Sequence, residues 1–314
     1  MRQWQHSSLD KKLKYYVAIH KGSSEPFPFN FFSDPRTKDW LLIANNPVPV
    51  WILTALYLAF TIMGPRLMKN RVAFELQWFL VLYNLGLVVL SVYMFVEIIL
   101  SIWDAGYDLF CAKYNGNSRH GAKELRVSVV LWWYFISKAI ELMDTVLMVL
   151  RKKFDQISFL HVFHHASMLN IWWWVMMFIP GGQSWFGSML NCLVHIVMYA
   201  YYTLSAIPYF KGKLWWKKYI TKFQLIQFVI TFSHTFNSLY FTTCDFPPWG
   251  QQLLASYMVF MIILFGNFYI QAYIKRKRLG YKKEDTKKRN GHSTNGYVSH
   301  AGGDNNGHIH SKGE

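Results

Sequence analysis

The chain has 314 residues, 53% of them hydrophobic, 18% aromatic and only 16% charged, with a formal net charge of +16 at pH 7. Its apolar residues are gathered into long blocks separated by short basic connectors. That pattern excludes an ordinary soluble helical protein, whose buried helices keep a charged face. It also argues against nucleic acid as the partner, because the Lys and Arg excess flanks apolar blocks, where membrane topology accounts for it.

In chain order, the segment 1–46 is mixed and polar. It lacks a charged stretch leading directly into an apolar core and a small-residue cleavage site, so no cleaved signal is expected. Seven apolar blocks follow, at roughly 47–64, 75–101, 127–149, 156–179, 186–207, 218–240 and 251–274. Each is near the length of about 20 residues that carries a helix across ~30 Å of hydrocarbon. These blocks predict an all-α, multi-pass membrane domain over 47–274 with seven transmembrane helices. The tail, 275–314, is a basic run that passes into Gly, Asn, Ser and His, and is expected to be a disordered cytosolic segment.

The connectors alternate in charge. One set carries Arg66, Lys69 and Arg71, then Arg151, Lys152 and Lys153, then Lys211, Lys213, Lys217 and Lys218, and finally the tail. In the other set the basic residues of 102–126 are offset by Asp104, Asp108 and Glu124, and 180–185 and 241–250 have none. By the positive-inside rule the first set is cytosolic, which puts the N-terminus outside and the C-terminus inside. Cys111 and Cys244 then share the lumenal, oxidising side, where they are expected to form a disulfide, while Cys192 sits within an apolar block as a small buried residue.

Ionisable groups inside spanning helices are costly, so each is a functional candidate. Glu97 in the second block is isolated and reads as structural unless a partner exists. The third block carries Lys138, Glu141, Asp144 and Thr145 in the string KAIELMDT, one arc of a helix on which opposite charges three residues apart neutralise each other. In the fourth, His161, His164 and His165 of HVFHH share one helical face. The fifth has a polar stripe of Asn191, His195, Tyr199 and Tyr202, and the sixth one of Gln224, Gln227, Thr231 and His234. Polar faces on several membrane helices are best accommodated around a common interior cavity.

Two chemistries suit such a cavity. Histidine boxes on membrane helices hold iron in desaturases and hydroxylases, but outside HVFHH the blocks offer only His195 and His234, too few ligands for a metal pair though enough for a single metal ion. The other is acyl transfer, in which an imidazole takes an acyl group from a thioester and passes it to a carbon nucleophile. A low dielectric favours the neutral, nucleophilic ring. A non-catalytic lipid transporter or scaffold is a third reading.

The strings KAIELMDT, HVFHH, NCLVHIVMYAYY and TKFQLIQF, in this order, resemble the signatures of the very-long-chain fatty acid elongases, the 3-ketoacyl-CoA synthases of the endoplasmic reticulum. The likeness runs from about residue 40 to 280. LRKK, QISFLHVFHH, GGQSWFG and SHTFNSLY look most like the type-4 members, although Ala200 stands where the family commonly has serine. The resemblance implies six helices forming an inverted-repeat barrel around an acyl tunnel, with the first helix packed outside. It implies His164 as the acyl-accepting nucleophile and His195 facing it, with His161 and His165 orienting them or relaying protons. Lys138, Asp144, Asn191 and Gln227 would position the site. Arg151, Tyr201, Lys217, Thr221 and Arg278 would bind CoA at the cytosolic mouth. The substrates implied are acyl-CoA and malonyl-CoA, with no metal and no other cofactor. The implied partners are membrane lipid and the reductases and dehydratase of the elongation cycle, with self-association left open. The expected location is the endoplasmic reticulum membrane, with a lumenal N-terminus and a cytosolic C-terminus. The far end of the tunnel is expected near Met176, Met177, His234 and Ser238.

Overall fold

The computed structural model describes residues 34–43, 46–114, 121–210, 212–242 and 244–275, at 121 and 122 for the backbone only. Most of the expected 1–46 segment, the tail beyond 275 and Arg278 lie outside the described residues. Among the described residues the structure is all-helical: α1 (Val48–Met68), α2 (Gln77–Ala105), α3 (Gly121–Glu141), α4 (Met143–Leu150), α5 (Phe159–Phe178), α6 (Ser184–Ala206), α7 (Lys217–Tyr240) and α8 (Pro248–Tyr269). α8 continues into a π-helical turn, Ile270–Lys275.

The helix ends follow local chemistry. Prolines open α1 and α8, where the missing N–H costs nothing. Ser158 caps α5 by accepting the His161 N–H at 3.2 Å, and Gly106 ends α2 in the left-handed conformation (φ 68°). The third apolar block departs from its expected single helix. Leu142 interrupts it, and the local bonds tighten to i→i+3, from Leu142 N to Ala139 O at 3.3 Å and from Thr145 N to Leu142 O at 3.2 Å. Beyond the break Asp144 accepts from Tyr199 and Thr145 bonds to His161, whereas before it Lys138 and Glu141 bond to each other.

Among the described residues four helices are long and apolar enough to cross a membrane: α1, α2, α6, and α8 with its π-helical extension. α3, α5 and α7 carry the Lys–Glu pair, the histidine triplet and the glutamines, polar groups that lower their hydropathy. α2 packs on α3 and α6, α3 on α5, α6 on α7, and α7 on α8; α8 meets α5 along the sparsest of these seams. α1 lies against α4 and α5, bonded from Tyr57 to Thr145 (3.0 Å) and from Asn170 to Thr54 (2.9 Å). Because lipid is as apolar as Leu, such hydrogen bonds and close packing, rather than hydrophobic transfer, hold spanning helices together. The largest core sits among α2, α3, α5 and α6 and includes Ile98, Tyr134, Phe135, Leu169 and Trp173.

The two sets of connectors occupy opposite ends of the bundle. At one end Lys152 Nζ donates to Lys69 O (3.2 Å) and Phe74 N to Leu150 O (3.0 Å), joining basic connectors. At the other, Cys111 and Cys244 form a disulfide, and Tyr114 N donates to Asp245 O at 3.3 Å. The short segment 34–43 straps this second end. Asp34 N and the Thr37 hydroxyl donate to the carbonyls of Met177 (2.8 Å) and Met176 (2.6 Å). Asp34 itself accepts from Arg36 and from the Tyr114 hydroxyl. Glu97 has its partner here too: Arg126 pairs with it through Nε (2.5 Å) and Nη2 (3.0 Å).

Candidate active site

A cavity lies between α5, α6, α7 and α8, with Tyr134 of α3 also in its lining and about 840 Å³ of atom-free space, open solvent included. Along α5 its wall is one helical face: His164, Met168, Ile171, Trp172, Val175 and, past the helix end, Ile179. From His164 to Ile179 is roughly 22 Å at 1.5 Å per residue. An extended acyl chain advances about 1.25 Å per carbon, from 1.52 Å bonds at 111°, so this length takes about 18 carbons. The far end closes on Gln183, Phe246 and Gly250. A Cβ on Gly250 would meet Ile179 Cδ1 at 2.5 Å, and one on Gly182 would meet Phe246 at 2.8 Å, so only glycine lets these segments come so close.

The residues expected at the tunnel end are not in the lining of this cavity. Met176 and Met177 are fully buried against the strap, not on the tunnel. Ser238 accepts from Gln251 Nε2 (3.1 Å) behind the wall. His234 lies with Nε2 2.7 Å from the Leu109 carbonyl and its ring stacked 3.6 Å from Phe186. Of the residues at this end, Gln183 and Phe246 are in connectors and Gly250 is in the first turn of α8, and Gln183 Nε2 lies 3.3 Å from His234 Nε2.

At the His164 end Tyr134, His164, Asn191 and Gln227 reach the lining, and Gln183, Ser184, Ser188, Thr231, Thr235 and Gln251 line the remainder. Behind the His164 end runs a buried network. Lys138 Nζ donates to Glu141 Oε1 (2.7 Å) and Asn191 Oδ1 (3.1 Å), and the Tyr134 hydroxyl also donates to Asn191 Oδ1 (2.6 Å). Lys138 also lies 4.3 Å from the centre of the Tyr134 ring, a cation–π contact. His195 Nδ1 is 3.3 Å from the same Glu141 oxygen. Lys138 and Glu141 are 2% exposed, so each charge depends on the other in a region without water. Asp144 belongs to a separate contact, accepting from the Tyr199 hydroxyl at 2.9 Å.

The three α5 histidines have different neighbours. His161 Nε2 is 2.8 Å from the Thr145 hydroxyl, which continues to Tyr57 on α1. His165 is buried, its ring 4.4 Å from that of His161 and 5.7 Å from that of His164. His164 alone of the three lines the tunnel. Its Nδ1 is 3.4 Å from the Tyr257 hydroxyl, itself 2.8 Å from Ser167. On α7 the buried Gln227 Oε1 has no hydrogen-bond partner among the described residues, leaving an acceptor for a ligand. No group of three His, Cys, Asp or Glu suited to hold a metal ion occurs among the described residues.

Of the expected CoA-binding residues, Arg151 caps the C-terminus of α4, Lys217 and Thr221 are in the first turns of α7, and Tyr201 is near the end of α6, its ring 5.1 Å from Trp216. The alternation of chain direction across the short connectors puts all four at the end opposite the disulfide. Tyr134 and Tyr257 were not singled out by the sequence reading. The available signal was a hydroxyl inside an apolar block, since a buried Tyr needs a partner for its O–H.

Among the described residues, an all-helical structure with helices long and apolar enough to cross a membrane, and a cavity onto which one histidine opens, defines a class: a multi-pass membrane protein. The ELO: GNS1/SUR4 family matches residues 42–280, and the chain belongs to this family. It is 47% identical over 269 residues to very long chain fatty acid elongase 5 of Xenopus tropicalis, covering 85% of this chain and 89% of that one. It is 49% identical over 243 residues to very long chain fatty acid elongase 2 of Rattus norvegicus (77% and 85%), and 46% identical over 243 residues to elongase 5 of Homo sapiens (77% and 80%).

Proposed function

We propose that the protein is a condensing enzyme of fatty acid elongation, a very-long-chain 3-oxoacyl-CoA synthase. The observation that carries the reading is His164, an imidazole opening onto an apolar tunnel about 18 carbons deep, with its Nδ1 facing Tyr257. His164 Nε2 attacks the acyl-CoA carbonyl; the C–N bond forms, the C–S bond breaks, and CoA leaves as its thiol with a proton relayed from the site. Malonyl-CoA then loses CO2, and the electron pair of the broken C–C bond attacks the acyl carbon, expelling the imidazole. The 3-ketoacyl-CoA results. Asn191, bonded to Lys138, and His195, 3.3 Å from Glu141, position the acyl carbonyl and the enolate together with Gln227 and supply donors to developing negative charge.

The wider architecture in this reading is a seven-span protein of the endoplasmic reticulum membrane. α3 with α4 counts as one span, and the α2–α8 ring is an inverted-repeat barrel. The basic connectors face the cytosol, placing Arg151, Tyr201, Lys217, Thr221 and Arg278 at the mouth where CoA phosphates arrive. The N-terminus is lumenal and the C-terminus cytosolic. Reaction requires no metal, and the 3-keto product passes to the reductases and dehydratase of the same cycle. The type-4-like strings favour very long saturated and polyunsaturated chains as substrates. The test is mass spectrometry of purified protein after acyl-CoA alone. Wild type should carry one acyl group on His164, released as 3-ketoacyl-CoA by malonyl-CoA with or without chelator. His164→Ala that is acylated to normal stoichiometry would remove the mechanism.

A further inference from the structure

A second space adjoins the tunnel. A groove on the bundle surface is lined by Asn170, Trp174, Phe178 and Trp249, and it shares Ile171, Ile179 and Leu253 with the tunnel. Those three side chains are therefore a wall one residue thick between the two spaces. It stands at the α5–α8 seam, the sparsest contact around the ring of helices. Trp249 is 42% exposed and Leu253 38%, so the groove faces the surrounding medium, which for spanning helices is acyl chain. Its aromatic edge is ordered by the Phe178 and Trp249 rings, 6.2 Å apart.

We propose that the α5–α8 seam is a lateral portal, and that the groove receives the methyl end of an acyl chain too long for the tunnel. The continuity of the two spaces through Ile171, Ile179 and Leu253 identifies the occupant as the enzyme's own substrate. The far end cannot extend past Gly250 and Phe246, so the carbons beyond about 18 have this wall as their shortest path. Opening it needs rotamer changes of three aliphatic side chains, not helix movement. The proposal rests on the reading of the tunnel as an acyl site.

The test uses acyl-CoAs of 16 and 24 carbons with a diazirine at the terminal carbon, photolysed on the full-length wild-type protein in lipid nanodiscs. The 16-carbon probe should label tunnel residues, and the 24-carbon probe should label Trp174, Phe178 or Trp249. A 24-carbon label confined to Gln183, Phe246 and Gly250 overturns the portal, as does a 24-carbon probe that neither labels the protein nor is elongated. In a second arm, Trp249→Cys is compared before and after reaction with pyrene maleimide; Cys192 is buried and the other two cysteines are bonded to each other. Each methylene denied its apolar site weakens binding about fourfold, so labelling should cut 24-carbon elongation by about tenfold or more and leave 16-carbon elongation within about twofold. Equal effects on both lengths overturn the portal. Absence of malonyl-dependent product from either substrate would instead refute the condensing reading on which it rests.

Discussion

Lys138 and Glu141 offer a sharp test of whether the polar network is structural or catalytic. Lys138→Met leaves a carboxylate that is 2% exposed with only His195 Nδ1 and Ser137 nearby, at 3.3 Å each. Breaking a buried pair by removing one partner costs about 3–5 kcal/mol. At about 2–4 °C per kcal/mol for a chain of this size, the melting midpoint should fall by roughly 6–20 °C. Lys138→Met/Glu141→Leu removes both charges and fills their volume, so more than half of that loss should be recovered. The cycle of single and double variants is read from intrinsic tryptophan fluorescence in detergent, with elongation assayed in parallel. A double variant that melts like wild type but does not elongate would show that the network orients His195 and Asn191 for reaction. If the losses of the two single variants simply add in the double, the pairing argument is refuted.

Gly250→Val should be poorly tolerated, because its side chain would strike Ile179 at the tunnel end; elongation of 16- and 18-carbon acyl-CoA should fall further than that of 12-carbon acyl-CoA, and an unchanged ratio would place the end elsewhere. Cys111→Ser should lower thermal stability by about 2–4 kcal/mol, visible as a midpoint drop that adding reductant reproduces in wild type. Burial, with the charge of Asp34 and the hydrogen bond to it, pushes the Tyr114 hydroxyl well above its usual range. The raised value stabilises the fold below about pH 10 and is lost as pH rises beyond it. Between pH 9 and 11 the wild-type midpoint should therefore fall more steeply than that of Tyr114→Phe.

What could be read in the sequence was whatever depends on periodicity. HVFHH put His161, His164 and His165 on one face, and the structure has them there with rings 4.4 and 5.7 Å apart. The alternating connector charge anticipated which connectors share an end. The break at Leu142 was invisible, because no Gly or Pro marks it and Leu suits either geometry. That Met176, Met177, His234 and Ser238 stand off the cavity lining was hidden for a different reason. Spacing along α5 and α7 cannot say that the connector residues Gln183 and Phe246 fold in over the bundle, since that depends on the disulfide and on the left-handed Gly182 (φ 53°). Tyr257 was missed because a hydroxyl in an apolar block has no spacing rule to name its partner.

The disulfide closes a span of 133 residues, from the connector after α2 to the one before α8. For a chain dissolved in water such a link restricts a coil in three dimensions. Helices in a bilayer stay formed when their packing is lost, so disruption means drifting apart in a plane. The link then works as a tether on lateral diffusion: the α1–α2 and α7–α8 pairs cannot wander beyond the reach of two connectors. A bundle that loosens at the tunnel mouth remains within collision distance of its own partners and can close again around a bound chain.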